Sequence, residues 1–263
     1  MAPSRRPLRV GVVGVGYVGA LHAQVYSKLP GVKLAAVCDT NPSRAAEIAK
    51  PLHCKALTEV TDIIGQVDAV SLAVPTSLHH RIGKVLLDAG IPVLIEKPIA
   101  VTVAEADDLL AAASASGAII QVGHIERFNA AIKTAQEFLT HPRFIEAHRL
   151  SPYPNRGTDV SVVLDVMIHD LDMVLSLIKA QPVQIDAIGV PVISPSVDIA
   201  NARLVFANGC VANLTASRVS DERTRRIRLF QEDCYLSVDY QHQTVDLARK
   251  IGKTIRRKTL KVL

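Results

Sequence analysis

The chain is poor in aromatic residues, which argues against one class of partner. Among its 263 residues there is no tryptophan, and phenylalanine and tyrosine contribute five each. Segment 249–263 carries seven lysines and arginines, no acid and no aromatic residue. Single-stranded nucleic acid is usually bound on aromatic stacking platforms. We therefore interpret this basic segment as solvated strands and expect no nucleic-acid partner, with binding of nucleic acid or an anionic substrate as the alternative.

Cysteine and long apolar runs are also scarce. The four cysteines, at positions 38, 54, 210 and 234, form no CxxC motif and no close pair. That spacing argues against a zinc site or a disulfide framework and favours a reducing compartment. No apolar run reaches the roughly 18 residues that span a membrane, since segment 160–178 is interrupted by three aspartates and a histidine. We expect a soluble, cytoplasmic protein without a metal site or a membrane partner.

Through residue 122, short apolar runs alternate with helical segments. The runs start at Leu8, Lys33, Ala69, Val93 and Ile119, and they are nearly continuous, as is typical of parallel strands covered on both faces. The capping-box spacing of threonine 102 and glutamate 105, with a glycine at 117, predicts a helix over 104–116. This alternation predicts an α/β, doubly wound Rossmann domain over residues 1–122.

After residue 122 the pattern changes. Two helical stretches, 129–140 and 160–179, are followed by seven strand-like segments without intervening helices. Such a run indicates a C-terminal α+β domain, over 123–263, with a mostly antiparallel sheet. We expect a ligand cleft between the two domains. The open face of the sheet favours a homodimer or homotetramer.

A glycine motif follows the first apolar run. Gly14 permits a sharp turn, Gly16 lets the backbone approach a pyrophosphate, and Gly19 lets the next helix pack on the strand. The helix begins near Tyr17 and Val18, so its free N–H groups face phosphate. An acid, Asp39, follows the last glycine by 20 residues and would bind the ribose hydroxyls of NAD and repel the 2′-phosphate of NADP. A glycine-rich turn in a domain without a ligand is the alternative.

Three residues are candidates for chemistry. Lys97 ends the fourth predicted strand, where a lysine can stabilise negative charge developing on a substrate oxygen. Asp165 and His169 are spaced i, i+4 on one helix face, which suits a general base oriented by a carboxylate. A surface lysine and a core histidine satisfied by its neighbours would give the same pattern.

Two polar segments are candidates for substrate binding. His124, Arg127 and Asn129 follow the fifth predicted strand, at the sheet edge where the fourth strand also ends. In the proline-containing connection that comes later, arginines and a tyrosine suit an anionic substrate; these residues are Arg149, Tyr153 and Arg156. Ordinary polar loops are the alternative in both cases.

Together these motifs resemble the glucose–fructose oxidoreductase/inositol dehydrogenase (Gfo/Idh/MocA) family over almost the whole chain. The glycine turn resembles the phosphate turn of the family, and the acid at 39 its ribose acid. The resemblance implies that Lys97 is catalytic, that His169 is the acid/base and that Asp165 orients it or binds substrate. It also implies a cofactor-binding role for further residues near the nicotinamide: Pro75, Thr76, His79 and Glu96.

Segments 122–131 and 149–177 look most like the subgroup that includes bacterial UDP-N-acetylglucosamine 3-dehydrogenases, similar to enzymes that prepare an amino sugar for lipid A. The resemblance therefore implies an NAD-dependent dehydrogenase that oxidises a ring hydroxyl of a sugar or nucleotide sugar. A non-catalytic dinucleotide sensor and a reductase of another carbonyl compound are the alternatives. Family members usually continue into C-terminal helices, whereas this chain ends at Leu263, as a truncated or a divergent short member would.

Overall fold

The chain folds into two compact units, one ending at Gly123 and the other beginning at His124. The computed structural model of the chain describes residues 6–153 and 160–262. In that part of the chain, no helix combines the length and apolar character needed to cross a membrane. The four cysteines are free thiols.

A parallel sheet of six strands organises the first unit. Its order, β3-β2-β1-β4-β5-β6, reverses direction between β1 and β4, which is the strand order of the Rossmann fold. This confirms the predicted fold class of the N-terminal half. The strands are β1 (Leu8–Val13), β2 (Val32–Cys38), β3 (Lys55–Leu57), β4 (Ala69–Leu72), β5 (Val93–Ile95) and β6 (Ile120–Val122).

Helices cover both faces of this sheet. On one face the core includes Ala23 and Ala49, and on the other Leu86 and Leu109. Local sequence sets the helix ends: the capping box predicted at position 102 is present, and the helix stops at a left-handed glycine at 117. The helices are α1 (Tyr17–Tyr26), α2 (Pro42–Leu52), α3 (His79–Asp88) and α4 (Val103–Ser116).

The second unit is built on an eight-stranded sheet in the order β14-β13-β12-β11-β7-β10-β9-β8. All neighbouring pairs are antiparallel except β7 and β10, which confirms the predicted mostly antiparallel sheet. The strands are β7 (Phe144–Leu150), β8 (Pro182–Val190), β9 (Ile199–Phe206), β10 (Val211–Ser217), β11 (Thr224–Gln231), β12 (Cys234–Asp239), β13 (Thr244–Ile251) and β14 (Thr254–Lys261).

Two helices, α5 (Ala130–Gln136) and α6 (Ile168–Ile178), contribute to the core of the second unit. Buried Ile132 and Met173 on these helices belong to one cluster with Ile145 and Leu214 of the sheet. Immediately before α6, Val163–Met167 forms a π-helical segment. Widened turns of this kind occur frequently at functional sites, and here the segment precedes the predicted acid/base residue.

Candidate functional site

The glycine turn of the first unit has the backbone geometry that the motif requires. Gly14 has a φ of +80°, a conformation that residues with a side chain rarely adopt, and a Cβ at Gly19 would stand 1.8 Å from the carbonyl oxygen of Gly14. Glycine at 19 is thus required for close packing of α1 on the turn. At Gly16 a Cβ would meet no described atom within 4 Å, so open space adjoins the backbone there.

Asp39 is held by backbone donors at the end of β2. Its carboxylate accepts hydrogen bonds from the N–H groups of Val15 and Asn41, each at 3.0 Å. The Arg44 guanidinium lies on the same turn, where its Nε donates to the carbonyl of Val15 at 2.8 Å. The acid and the glycine turn are therefore joined directly, although 24 residues separate Val15 from Asp39.

A cavity of about 450 Å³ lies beside the turn. Of the predicted cofactor residues, Gly14, Gly16, Asp39 and Pro75 line it. Its largely apolar wall and the Asp39 carboxylate suit an adenosine moiety, with the ribose at Asp39. Four polar lining residues, Thr40, Thr58, Glu59 and Arg81, belong to no motif that the sequence shows.

Five other predicted cofactor residues lie on α1 and in the segment after β4. Tyr17 and Val18, on the first turn of α1, have exposed side chains, whereas Gly19 is buried in the same helix. Thr76 begins a short 3₁₀ turn after β4. His79 is the first residue of α3. It is 1% exposed, and its Nδ1 and Nε2 lie 2.8 and 2.9 Å from the carbonyl oxygens of Pro98 and Val74, so its ring fixes the fold locally.

The Glu96-Lys97-Pro98 triplet follows β5, as the sequence predicts, and its Lys97–Pro98 peptide is cis. Lys97 is half-buried. Burial opposes ionisation of the Glu96 carboxyl, but the hydrogen bond and charge of His22, with the backbone N–H and charge of Lys97, hold its pKa below its usual value. A carboxylate and an ammonium therefore occupy adjacent positions at the carboxyl edge of the sheet.

In the second unit, two predicted substrate residues lie near an acid on α6, and one of them binds it. Arg127 donates to the Asp172 carboxylate through both Nε, at 2.8 Å, and Nη2. His124 Nδ1 lies 3.7 Å from the same carboxylate. Because Asp172 is three residues beyond His169, these contacts join the 3₁₀ turn at 125–128 to the helix that carries the predicted base.

Arg149 differs from the expectation of an exposed substrate-binding arginine. It is 5% exposed, and its guanidinium donates to Asp170 at 2.9 and 3.2 Å and to Glu126 at 3.0 Å. Burial opposes the charges, but the paired acids raise the pKa of Arg149, while burial raises the pKa of Asp170 despite its partner. This arginine is part of the structure that holds α6.

Other predicted substrate residues have local contacts. Asn129 caps α5, where its side-chain oxygen accepts from the N–H of Ala131 at 3.1 Å. The Tyr153 ring centroid lies 5.9 Å from the guanidinium of buried Arg218. Arg156 lies outside the described residues.

Asp165 and His169 are both half-buried, and the acid belongs to the π-helical segment whereas the histidine belongs to α6. The next acid, Asp170, is buried against Arg149. The π-helical segment and the start of α6 therefore place one aspartate and one histidine at partly accessible positions, close in sequence to charged residues that are fixed by ion pairs.

Comparison with known proteins agrees with this geometry. Residues 8–124 match the family model described as "Oxidoreductase family, NAD-binding Rossmann fold", and residues 131–236 match the GFO/IDH/MocA C-terminal domain. UDP-N-acetylglucosamine 3-dehydrogenase of Acidithiobacillus ferrooxidans is 42% identical over 249 residues, which are 94% of this chain and 79% of that protein. Its solved structure superposes with a TM-score of 0.91, covering 98% of this chain and 83% of that one.

Two further relatives are more distant. An inositol 2-dehydrogenase of Mycolicibacterium smegmatis is 35% identical over 178 residues, which are 63% of this chain and 51% of that protein. Levoglucosan dehydrogenase in complex with NADH has a TM-score of 0.87 at 19% identity, covering 97% of this chain and 80% of that one; that match shows a shared fold.

Proposed function

Because the chain belongs to the Gfo/Idh/MocA family of NAD-binding oxidoreductases, we propose that it oxidises the 3-hydroxyl of UDP-N-acetylglucosamine to a ketone. The observation that carries this proposal is the similarity to the A. ferrooxidans enzyme, which extends over 94% of the chain and so includes the second unit. The inositol dehydrogenase match covers 63% of the chain, which favours the nucleotide sugar as substrate.

The residues of the first unit fit the cofactor NAD. The open backbone at Gly16, the N-terminus of α1 and the Asp39 carboxylate adjoin one cavity of about 450 Å³, with groups suited to a pyrophosphate and a ribose. Bound there, NAD would supply the acceptor for the hydride of the carbinol carbon. In this unit the chain supplies binding, orientation and, through Lys97, a cation next to the hydroxyl.

The proton and the hydride leave the same C–OH group. In the proposed reaction, the C–H bond breaks with its electron pair, and His169 takes the hydroxyl proton as general base. The Lys97 ammonium donates a hydrogen bond to the same oxygen and stabilises its developing negative charge. Asp165 orients the imidazole or binds the substrate. The product is a ketone, and the sugar has lost two hydrogen atoms.

The test is turnover by the purified chain with NAD and UDP-N-acetylglucosamine, followed by NADH absorbance. Mass spectrometry should detect loss of two hydrogen atoms, and NMR should place the new carbonyl at C3. UDP-N-acetylgalactosamine, UDP-glucose and myo-inositol serve as comparison substrates. Oxidation of myo-inositol without oxidation of the UDP-sugar, or a carbonyl at another carbon, would contradict the proposal.

We also propose that the protein is a homo-oligomer assembled through the sheet of the second unit. The edge strand β8 supports this, because Val183, Ile185 and Ile188 are each more than 60% exposed on it, and apolar side chains at a sheet edge favour pairing. Light scattering coupled to size-exclusion chromatography tests it, with a monomer as the contradicting result. Four free thiols and the need for NAD support a cytoplasmic location.

A further inference from the structure

A chain of polar side chains, buried at one end and half-buried at the other, connects three elements of the first unit and ends next to Lys97. Ser71, on β4, is 0% exposed, and its Oγ lies 2.6 Å from Nδ1 of His22 on α1. The other ring nitrogen, Nε2, lies 3.2 Å from the Glu96 carboxylate. The chain thus extends from the centre of the sheet to the residue that precedes the lysine.

The donors and acceptors of this network complement one another. An ionised carboxylate can only accept, so Nε2 of His22 donates to Glu96. The backbone N–H of Lys97 also points at this carboxylate, with a distance of 3.3 Å. When Nε2 holds the single hydrogen of a neutral imidazole, Nδ1 accepts from the Ser71 hydroxyl. Every polar group of the network is then satisfied in one arrangement.

The surroundings leave Glu96 little freedom. Its backbone N–H donates to the carbonyl of Leu72 at 3.0 Å. On the other side, a Cβ at Gly123 would stand 2.8 Å from the Glu96 carboxylate, so the backbone of residue 123 packs against it. On the other side of the lysine, the carbonyl oxygen of Pro98 lies at hydrogen-bond distance, 2.8 Å, from Nδ1 of His79. Lys97 therefore lies between two anchored neighbours.

We propose that His22 and Ser71 are positioning residues for Lys97, which hold the Glu96 carboxylate against the lysine N–H and so fix where the ammonium lies. This inference rests on the proposed function for its catalytic consequence. Neither side chain is assigned contact with substrate or cofactor. Both act through the carboxylate, and misplacement by about 1 Å of a group that orients a reaction can cost about 100-fold in rate.

Two substitutions of His22 distinguish a role in positioning Lys97 from a role in stabilising the fold. The amide N–H of His22→Gln can reach the place of Nε2 and keep the bond to Glu96, whereas His22→Asn reaches only the place of Nδ1, next to Ser71. We expect His22→Asn to lower kcat by about 10- to 100-fold, with KM for NAD changed less than about threefold. His22→Gln should recover most of the lost turnover, and Ser71→Ala should show a smaller loss of the same kind.

A second measurement does not need turnover. Reductive ¹³C-methylation of the lysines gives each a methyl resonance, and Lys97→Arg identifies that of Lys97. In the NAD-bound protein, His22→Asn should shift or broaden this resonance, whereas His22→Gln should leave it close to the wild-type position. Thermal unfolding of each variant measures the folded fraction, by which kcat is corrected.

The outcomes for the two proposals are distinct. An unchanged Lys97 resonance in His22→Asn overturns the positioning role, whether or not the wild type is active. Equal corrected kcat values for the Asn and Gln variants and the wild type also overturn it. A wild-type protein that oxidises none of the sugar substrates overturns the proposed function instead, and the methyl resonance still decides whether the network positions the lysine.

Discussion

The two units of the molecule organise their functional groups in different ways. In the first, the candidate cofactor site is mostly backbone: glycines at a turn, a helix N-terminus, and Asp39 held by backbone N–H groups at 3.0 Å. In the second, α6 is held by side-chain ion pairs that join residues 21 and 45 positions apart. A site made of backbone should tolerate side-chain changes elsewhere, whereas a site made of paired charges should not.

The largest effect that separates the two units is expected from His169→Ala. General-base catalysis contributes about 10²–10⁴-fold, so kcat should fall by that factor while NAD affinity, measured by calorimetry, stays near the wild-type value. The control is His242→Ala, which removes an exposed imidazole of the same unit, paired with Asp239 at 3.1 Å, and should change neither quantity. A parallel loss of NAD affinity in His169→Ala would contradict the assignment of cofactor binding to the first unit and of the base to the second.

The next effect concerns stability. Arg149→Met leaves the buried Asp170 and the half-buried Glu126 without their cation, and breaking a buried pair typically costs about 3–5 kcal/mol. The urea midpoint should fall accordingly. Arg228→Met is the matched control on β11, because its 3.4 Å pair with Glu146 is partly exposed and such pairs contribute about 0–1 kcal/mol. Equal shifts for the two variants would show that burial of the first pair is not what holds α6.

Arg149 shows why part of the second unit could not be predicted from the sequence. Strand β7 has inward-facing Ile145, Ala147 and Arg149, and a charged residue at an inward position hides the alternation that predicts a strand. The partners of Arg149 are acids 21 and 23 residues away. Nothing local in the sequence indicates that pairing. From the sequence alone, Arg149 is therefore interpreted as a loop residue that can bind a substrate.

The first unit was more predictable because its signals are local. The strand, the glycine turn and the acid lie within residues 8–39. The requirement for glycine at 14 and 19 comes largely from the turn itself, through the positive φ of Gly14 and the close approach of Gly19 to the Gly14 carbonyl oxygen. His79 is the exception: its role depends on carbonyls at Val74 and Pro98, and the second of these belongs to another element. Chemistry carried by backbone geometry leaves a sequence motif, whereas chemistry carried by tertiary pairing does not.

Two glycine variants test the role of backbone geometry in the first unit, with a smaller expected change in stability than that of Arg149→Met. At Gly19→Ala the new methyl group would stand 1.8 Å from the Gly14 carbonyl, so the turn or helix must shift, at a cost of about 1–3 kcal/mol in stability. Gly16→Ala has room in the unliganded protein and should unfold like the wild type. Because Gly16 is expected at the pyrophosphate, it should still weaken NAD binding. Normal NAD affinity in Gly16→Ala would contradict that placement.

The smallest effect is expected from Asp39→Asn, which keeps an oxygen to accept from one backbone N–H but removes the negative charge. A charge on the ribose acid repels a 2′-phosphate by about 1–4 kcal/mol at contact distance, and solvent at this open cavity favours the lower end. The ratio of NADP to NAD affinity should therefore rise by about tenfold, assisted by Arg44 at the same turn, whereas Asp39→Asn with Arg44→Met should gain less. An unchanged ratio would mean that cofactor choice rests on the cavity wall and not on the carboxylate, and the first unit would then depend on side chains remote from its motif, as the second unit does.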